Sequence, residues 1–269
     1  VPSGAITHGV PDTQHPNVGA LIVDVDFDGP GPMPFGRLQL CTGSLLGPGL
    51  FLTAGHCTAG LVALGVPPAD VKVSFNADLH HPVDGGPYVV DPVNLLTVTG
   101  FTTHPDFHCN TSTCYNDVGV IAFQGDPGAI TPVTLPTLGF LDQQASQGGL
   151  RDHDFVNVGY GVNFLDRSSL SPQATVEYRG LREMSTSPFR TLTRTHLFLN
   201  ANYAATGEGG MCSADSGGPH FYEAVPGALS NLAVAVSTSG DPACNSLSQN
   251  QRLDTLSVRE FLNDFVTLP

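Results

Sequence analysis

Ser216 lies in Gly210-Met-Cys-Ser-Ala-Asp-Ser-Gly-Gly-Pro219, where the two glycines after it allow a tight turn with an exposed hydroxyl and converging backbone N–H groups. A hydroxyl is a poor nucleophile until a base takes its proton, so acyl transfer at Ser216 requires a histidine and a group to orient it. Both are present. His56 ends the apolar run Leu52-Thr-Ala-Gly-His-Cys57, and Asp117 enters another in Tyr115-Asn-Asp-Val-Gly-Val-Ile121. Taken singly, each is equally an ordinary residue: a turn serine, a core histidine, a capping aspartate. Other clusters are weaker. Asp24, Asp26, Asp28 and Gly29 open like a calcium loop, but Phe35 stands where the closing Glu belongs, and alternating acids suit the solvated face of a strand. His80-His81, and His104 with His108, have no third ligand at useful spacing, so surface loops are expected there and no metal. Asn110-Thr-Ser112 is a glycosylation sequon.

The chemical residues are far apart in the chain, so folded elements must bring them together. The 269 residues suffice for one large or two small domains, each with a buried core. With 31 glycines and 22 prolines beside 41% hydrophobic residues, the composition is that of a loop-rich all-β protein rather than a disordered one. Short apolar stretches at 19–23, 50–54, 71–75, 118–123, 155–158 and 232–236, bounded by turn residues, read as strands of a sandwich or barrel. The proline-rich segment Asp126–Pro136 reads as a linker, dividing the chain into halves 1–136 and 137–269. Val258, Phe261, Leu262 and Phe265 fall on one helical face, and Ser257 with Glu260 forms a capping box ahead of it. A formal charge of −14 argues against nucleic acid, and no apolar stretch is long enough to span a membrane. The cysteines are even in number with no CxxC spacing, which fits disulfides better than metal; with no signal peptide at Val1, a processed, secreted protein is expected.

Three blocks, TAGHC around His56, NDVGVI around Asp117 and CSADSGGP around Ser216, resemble the chymotrypsin and trypsin superfamily of serine proteases and follow its chain order. His104-Pro-Asp-Phe107, Val158-Gly-Tyr-Gly161 and Thr131-Pro-Val-Thr-Leu-Pro136 are similar to further segments of that superfamily. The resemblance implies two six-stranded antiparallel Greek-key barrels with a C-terminal α-helix. It implies that Ser216 attacks the scissile carbonyl, His56 moves the proton and Asp117 orients the imidazole. It also pairs Cys41 with Cys57 and Cys212 with Cys244; Cys109 with Cys114 is inferred from spacing alone. Protein or peptide substrates, a monomer and no cofactor are the matching expectations.

The chain departs from that pattern in three places. Ala214 replaces the glycine whose N–H, with that of Ser216, forms the oxyanion hole. Ala214 is held in a strained conformation, or the Ser213-Ala214 peptide flips and the protein is impaired or latent, or a bound ligand flips that peptide back. Second, Ile6 matches the residue that becomes the new amino terminus on activation and pairs with the aspartate before the nucleophile, here Asp215, yet Val1 to Ala5 precede it. Either the form is latent, or Arg151, His8 or His15 supplies the cation. Third, Gly210 stands at the base of the specificity pocket and Ser237, Thr238 and Ser239 along its wall, so trypsin-like preference for Arg or Lys is not expected, and small or medium uncharged side chains are.

Overall fold

The computed structural model describes residues 6–26, 35–79, 94–166, 175–178, 180–225 and 227–269. Asp28 and the His80-His81 pair lie outside them. The first barrel is built from β1 (Val18–Asp26), β2 (Phe35–Gly47), β3 (Leu50–Thr53), β4 (Val71–Ser74), β5 (Leu96–Thr103) and β6 (Gly119–Gln124), closed in the order β1-β2-β3-β6-β5-β4. The second contains β7 (Asp154–Gly159), β8 (Glu183–Leu192), β9 (His196–Asn200), β10 (Pro219–Tyr222), β11 (Ala233–Gly240) and β12 (Leu247–Arg252), in the order β8-β7-β10-β11-β12-β9, closed by β8 against β9. Counted from its own first strand, the second ring repeats the cyclic order of the first, and every pairing within both is antiparallel.

The strands facing the partner barrel read as continuous apolar runs because both of their faces are buried. In β1, Leu21 and Val23 point into the first barrel with Phe51, Val73 and Ile121, while Ala20 and Ile22 join a seam shared with Val156, Val158, Phe221 and Val236 of the second. Polar groups lock this seam. Arg182 donates through Nε to Asp12 Oδ2 at 2.9 Å and through a terminal nitrogen to the carbonyls of Val18 and Phe75, and Tyr160 donates its hydroxyl to Asn76 O at 2.7 Å. Burial alone would push the Asp12 carboxyl up, but His15 and Arg182 together hold it below the usual value.

The ends of the chain cross over. Val10–Pro11 pairs with β8, and Thr7 bridges to Gly210, so residues 7–11 rest on the second barrel. The closing helix, Leu256–Leu262, buries Val258, Phe261 and Leu262 as the periodicity predicts, with Phe261 against His104 of the first half. Its start differs from the expected capping box: Thr255 is the N-cap, and Ser257 lies inside the helix, where its carbonyl accepts from His104 Nε2 at 3.1 Å. Helices at Gly55–Ala63 and Phe140–Ser146 were not legible from periodicity; the latter buries only Leu141.

Candidate active site

β3 runs into Ala54 and the first turn of the helix Gly55–Ala63, which carries His56. β3 pairs with β6, Thr53 opposite Gly119, and this register sets Asp117, two residues before β6 begins, against the start of the helix. The approach is close: a Cβ on Gly55 would stand 2.9 Å from Val118 N and 3.2 Å from Asp117 Oδ1, so glycine is required there. Asp117 is fully buried and grips His56 twice, Oδ1 accepting the backbone N–H at 2.7 Å and Oδ2 facing Nδ1 at 2.9 Å. A carboxylate accepts only, so Nδ1 is the donor in this contact and Nε2 lies on the half-buried outer edge of the ring. Gln251 of β12 takes the Asp117 backbone N–H on its Oε1 at 3.2 Å, a contact between the barrels that no motif announced.

The loop that carries Ser216 is bound to the same place. The carbonyl of Ser216 accepts the Thr42 N–H at 2.9 Å and lies 3.8 Å from Sγ of Cys57, the neighbour of His56. Cys57 is disulfide-bonded to Cys41, and Cys212 to Cys244, so one bridge braces each side; Cys109 and Cys114 form the third. Ala214 has φ +70°, the left-handed region that costs a residue with a Cβ about 1–3 kcal/mol. Its preceding peptide has the Ser213 carbonyl turned toward Gly161, where a Cβ would be only 2.3 Å from that oxygen. In a trans peptide the N–H points the opposite way, so the Ala214 N–H faces away from Gly161. The amides of Cys212, Asp215, Gly217 and Gly218 all donate within the fold, whereas those of Ala214 and Ser216 donate to nothing among the described residues.

The sequence model named Trypsin matches residues 14–251. The chain belongs to the trypsin family. It is 28% identical over 200 residues to the phenoloxidase-activating enzyme of Bombyx mori, a match covering 69% of this chain and 45% of that enzyme, so it spans under half of that relative's length. The solved structure of HL collagenase superposes with a TM-score of 0.64 at 16% identity, covering 98% of this chain and 100% of the collagenase, which speaks for the fold alone.

Within this trypsin-family chain, Asp215 is fully buried, its carboxylate accepting the N–H of Gly161 at 2.8 Å and of Cys212 at 2.9 Å. Burial pushes its carboxyl well above the ordinary value, and the nearby charge of buried Glu183 adds to the push against the backbone donors. Ile6 is buried beside it: a Cβ on Gly159 would meet both Asp215 Oδ1 and Ile6 Cδ1 within 3.3 Å. The internal cations expected as substitutes lie elsewhere. Arg151 is exposed, His15 bonds to Asp12 Oδ1 at 2.8 Å, and His8 stacks on Tyr203.

Gly210 is buried with its backbone tied to Thr7, and a Cβ there would stand 2.5 Å from that of Ala201. Ser237 is bonded to Nε2 of buried His220 at 3.0 Å, and Nδ1 of His220 to Asn157 Oδ1 at 2.6 Å. Asn157 donates to Ser187, whose hydroxyl donates to the Gly209 carbonyl, so a polar chain runs inside the second barrel from Ser237 to the residue before Gly210. Thr238 Oγ1 is buried with no hydrogen-bond partner among the described residues, and the Ser239 hydroxyl turns to Gln249. Of the weaker clusters, Asp24 is engaged by Arg37 at 2.7 Å, and His104 and His108 are separately hydrogen-bonded to Ser257 and the Asp106 carbonyl. Asn110 is exposed. Cys41, His56 and Cys57 come together like metal ligands, but the two sulfurs are bonded to each other.

Proposed function

We propose that the chain is a secreted, monomeric serine endopeptidase. The observation that carries the reading is the double grip of the buried Asp117 carboxylate on His56, which fixes the tautomer that leaves Nε2 free as a base. Ser216 Oγ attacks the scissile carbonyl carbon while Nε2 takes its proton, and the resulting oxyanion is met by the N–H groups of Ala214 and Ser216. The C–N bond then breaks, the amine leaves with the proton from His56, and water activated by the same nitrogen releases the acyl group. The positive φ of Ala214 favours the strained, hole-forming alternative over the flipped peptide. Gly210 at the pocket base and the uncharged wall of Ser237, Thr238 and Ser239 suit a small or medium uncharged substrate side chain. A fluorophosphonate probe is expected to label Ser216 stoichiometrically and not to label Ser216→Ala; failure of the wild-type chain to label, under conditions where it is folded, overturns the reading.

A latent form is favoured by one arrangement. Ile6 already lies against Asp215, so cutting the bond before Ile6 would release an α-amino group beside a buried carboxyl whose pKa burial raises, giving that carboxyl a cationic partner. Activity is expected to rise when the chain starts at Ile6. Equal turnover with and without residues 1–5 would sink this refinement.

A further inference from the structure

We propose that Gln39 and Thr42, both on β2 of the first barrel, are positioning residues that clamp Ala214 in its strained conformation and so set the oxyanion donors against His56; this rests on the peptidase reading above. Ala214 at φ +70° has a relaxed alternative at negative φ that a glycine would have no reason to seek, so its surroundings must over-determine the observed one. They do so through its carbonyl. Gln39 Nε2 donates to Ala214 O at 2.9 Å and Thr42 Oγ1 donates to the same oxygen at 3.1 Å, from side chains that are both buried.

Each side chain is itself held. Gln39 Nε2 also donates to the Cys41 carbonyl at 2.9 Å, and Thr42 Oγ1 accepts the Tyr160 N–H at 3.3 Å, leaving its own proton for Ala214. The Thr42 carbonyl accepts from Thr53 Oγ1 at 2.7 Å, on the strand that leads to His56. Thr42 therefore touches both oxyanion residues, its N–H on the Ser216 carbonyl and its hydroxyl on that of Ala214. Between Gln39 and Thr42 stands Cys41, disulfide-bonded to the residue after His56. A four-residue stretch of one strand thus links base, nucleophile and oxyanion donors across the cleft, and a donor must stay about 2.7–3.1 Å from the oxyanion, where a misplacement of about 1 Å costs about 100-fold in rate.

Thr42→Val keeps shape and removes the hydroxyl; Gln39→Met keeps length and removes the amide. Each is expected to lower kcat by about 10–100-fold with KM changed less than about threefold, the range for a displaced rather than deleted oxyanion donor. Affinity for a peptide aldehyde, whose hemiacetal oxygen occupies the hole, is expected to fall in parallel with kcat. Adding Ala214→Gly removes the strain the clamp opposes, so the loss from Thr42→Val is expected to shrink to a few-fold. Crystal structures of Thr42→Val and Thr42→Val/Ala214→Gly decide the clamp even without turnover: residue 214 should leave positive φ in the first and keep it in the second. Unchanged kcat, or positive φ at residue 214 retained in Thr42→Val, overturns the clamp, while wild-type labelling leaves the peptidase reading standing. An unlabelled wild type would instead overturn the peptidase reading, and the crystallographic comparison would still decide the clamp.

Discussion

At Ala214 a local preference of the chain loses to its surroundings. An L-residue at φ +70° is disfavoured, and the cost is concentrated in one Cβ. Ala214→Gly is therefore expected to raise unfolding stability by about 1 kcal/mol, the strain relieved less the greater freedom of glycine in the unfolded chain, read from urea denaturation. A neutral or destabilising result would mean that the Cβ makes contacts worth more than the strain. His56, Asp117 and Ser216 stand out in the sequence because each is embedded in a run whose glycines the geometry demands, as Gly55 and Gly217 show: a Cβ on Gly217 would lie 2.2 Å from Thr53 Oγ1. Gln39, Thr42 and Gln251 are illegible for the opposite reason. Their side chains act at sites they reach only through strand register and barrel packing, and nothing next to them in the chain marks the partner.

Elements with one buried stripe were legible, and those held by polar contacts were not. The closing helix announced itself through Val258, Phe261 and Leu262. Phe140–Ser146 did not, because it is fixed by its backbone: the Gly139 N–H donates to the Asp254 carbonyl, and the Leu141 N–H donates to Asp254 Oδ2 at 2.7 Å. Asp254 is in turn bound by Arg252 through two nitrogens, each at 2.8 Å, with both side chains buried, and Arg252 also reaches Asp142 of the same helix. Arg252→Met leaves a buried carboxylate without its cation and is expected to cost about 3–5 kcal/mol. Adding Asp254→Asn removes the orphaned charge and keeps an acceptor for Leu141, so the double variant should be more stable than the single one. Equal stabilities in thermal unfolding would show that the ion pair is not what holds the helix.

Across the whole molecule, two barrels share one cyclic strand order although no repeat is visible in the sequence. The repetition lies in topology and not in the residues: the cluster inside the first barrel is apolar, whereas the second buries Asn157, Ser187 and His220 beside Ser237. That difference makes acid stability a property of the second barrel. His220 is fully buried, and burial lowers its pKa from the ordinary 6.5 to about 3. Between those values the unfolded chain holds a proton that the folded chain does not, so stability is full above the unfolded value and is lost as pH falls toward the folded one, by up to about 1.4 kcal/mol per pH unit. Asp12, held low by His15 and Arg182, adds its own loss only in more acid solution, below its ordinary 3.8. His220→Asn removes the titrating ring and keeps a polar side chain between Asn157 and Ser237. Urea unfolding between pH 6 and 4 should then show a pH slope shallower by about one proton than the wild type, with any constant destabilisation appearing as an offset. An unchanged slope would place the acid sensitivity in His153 and His196, whose pKa values burial also lowers from 6.5, instead of in His220.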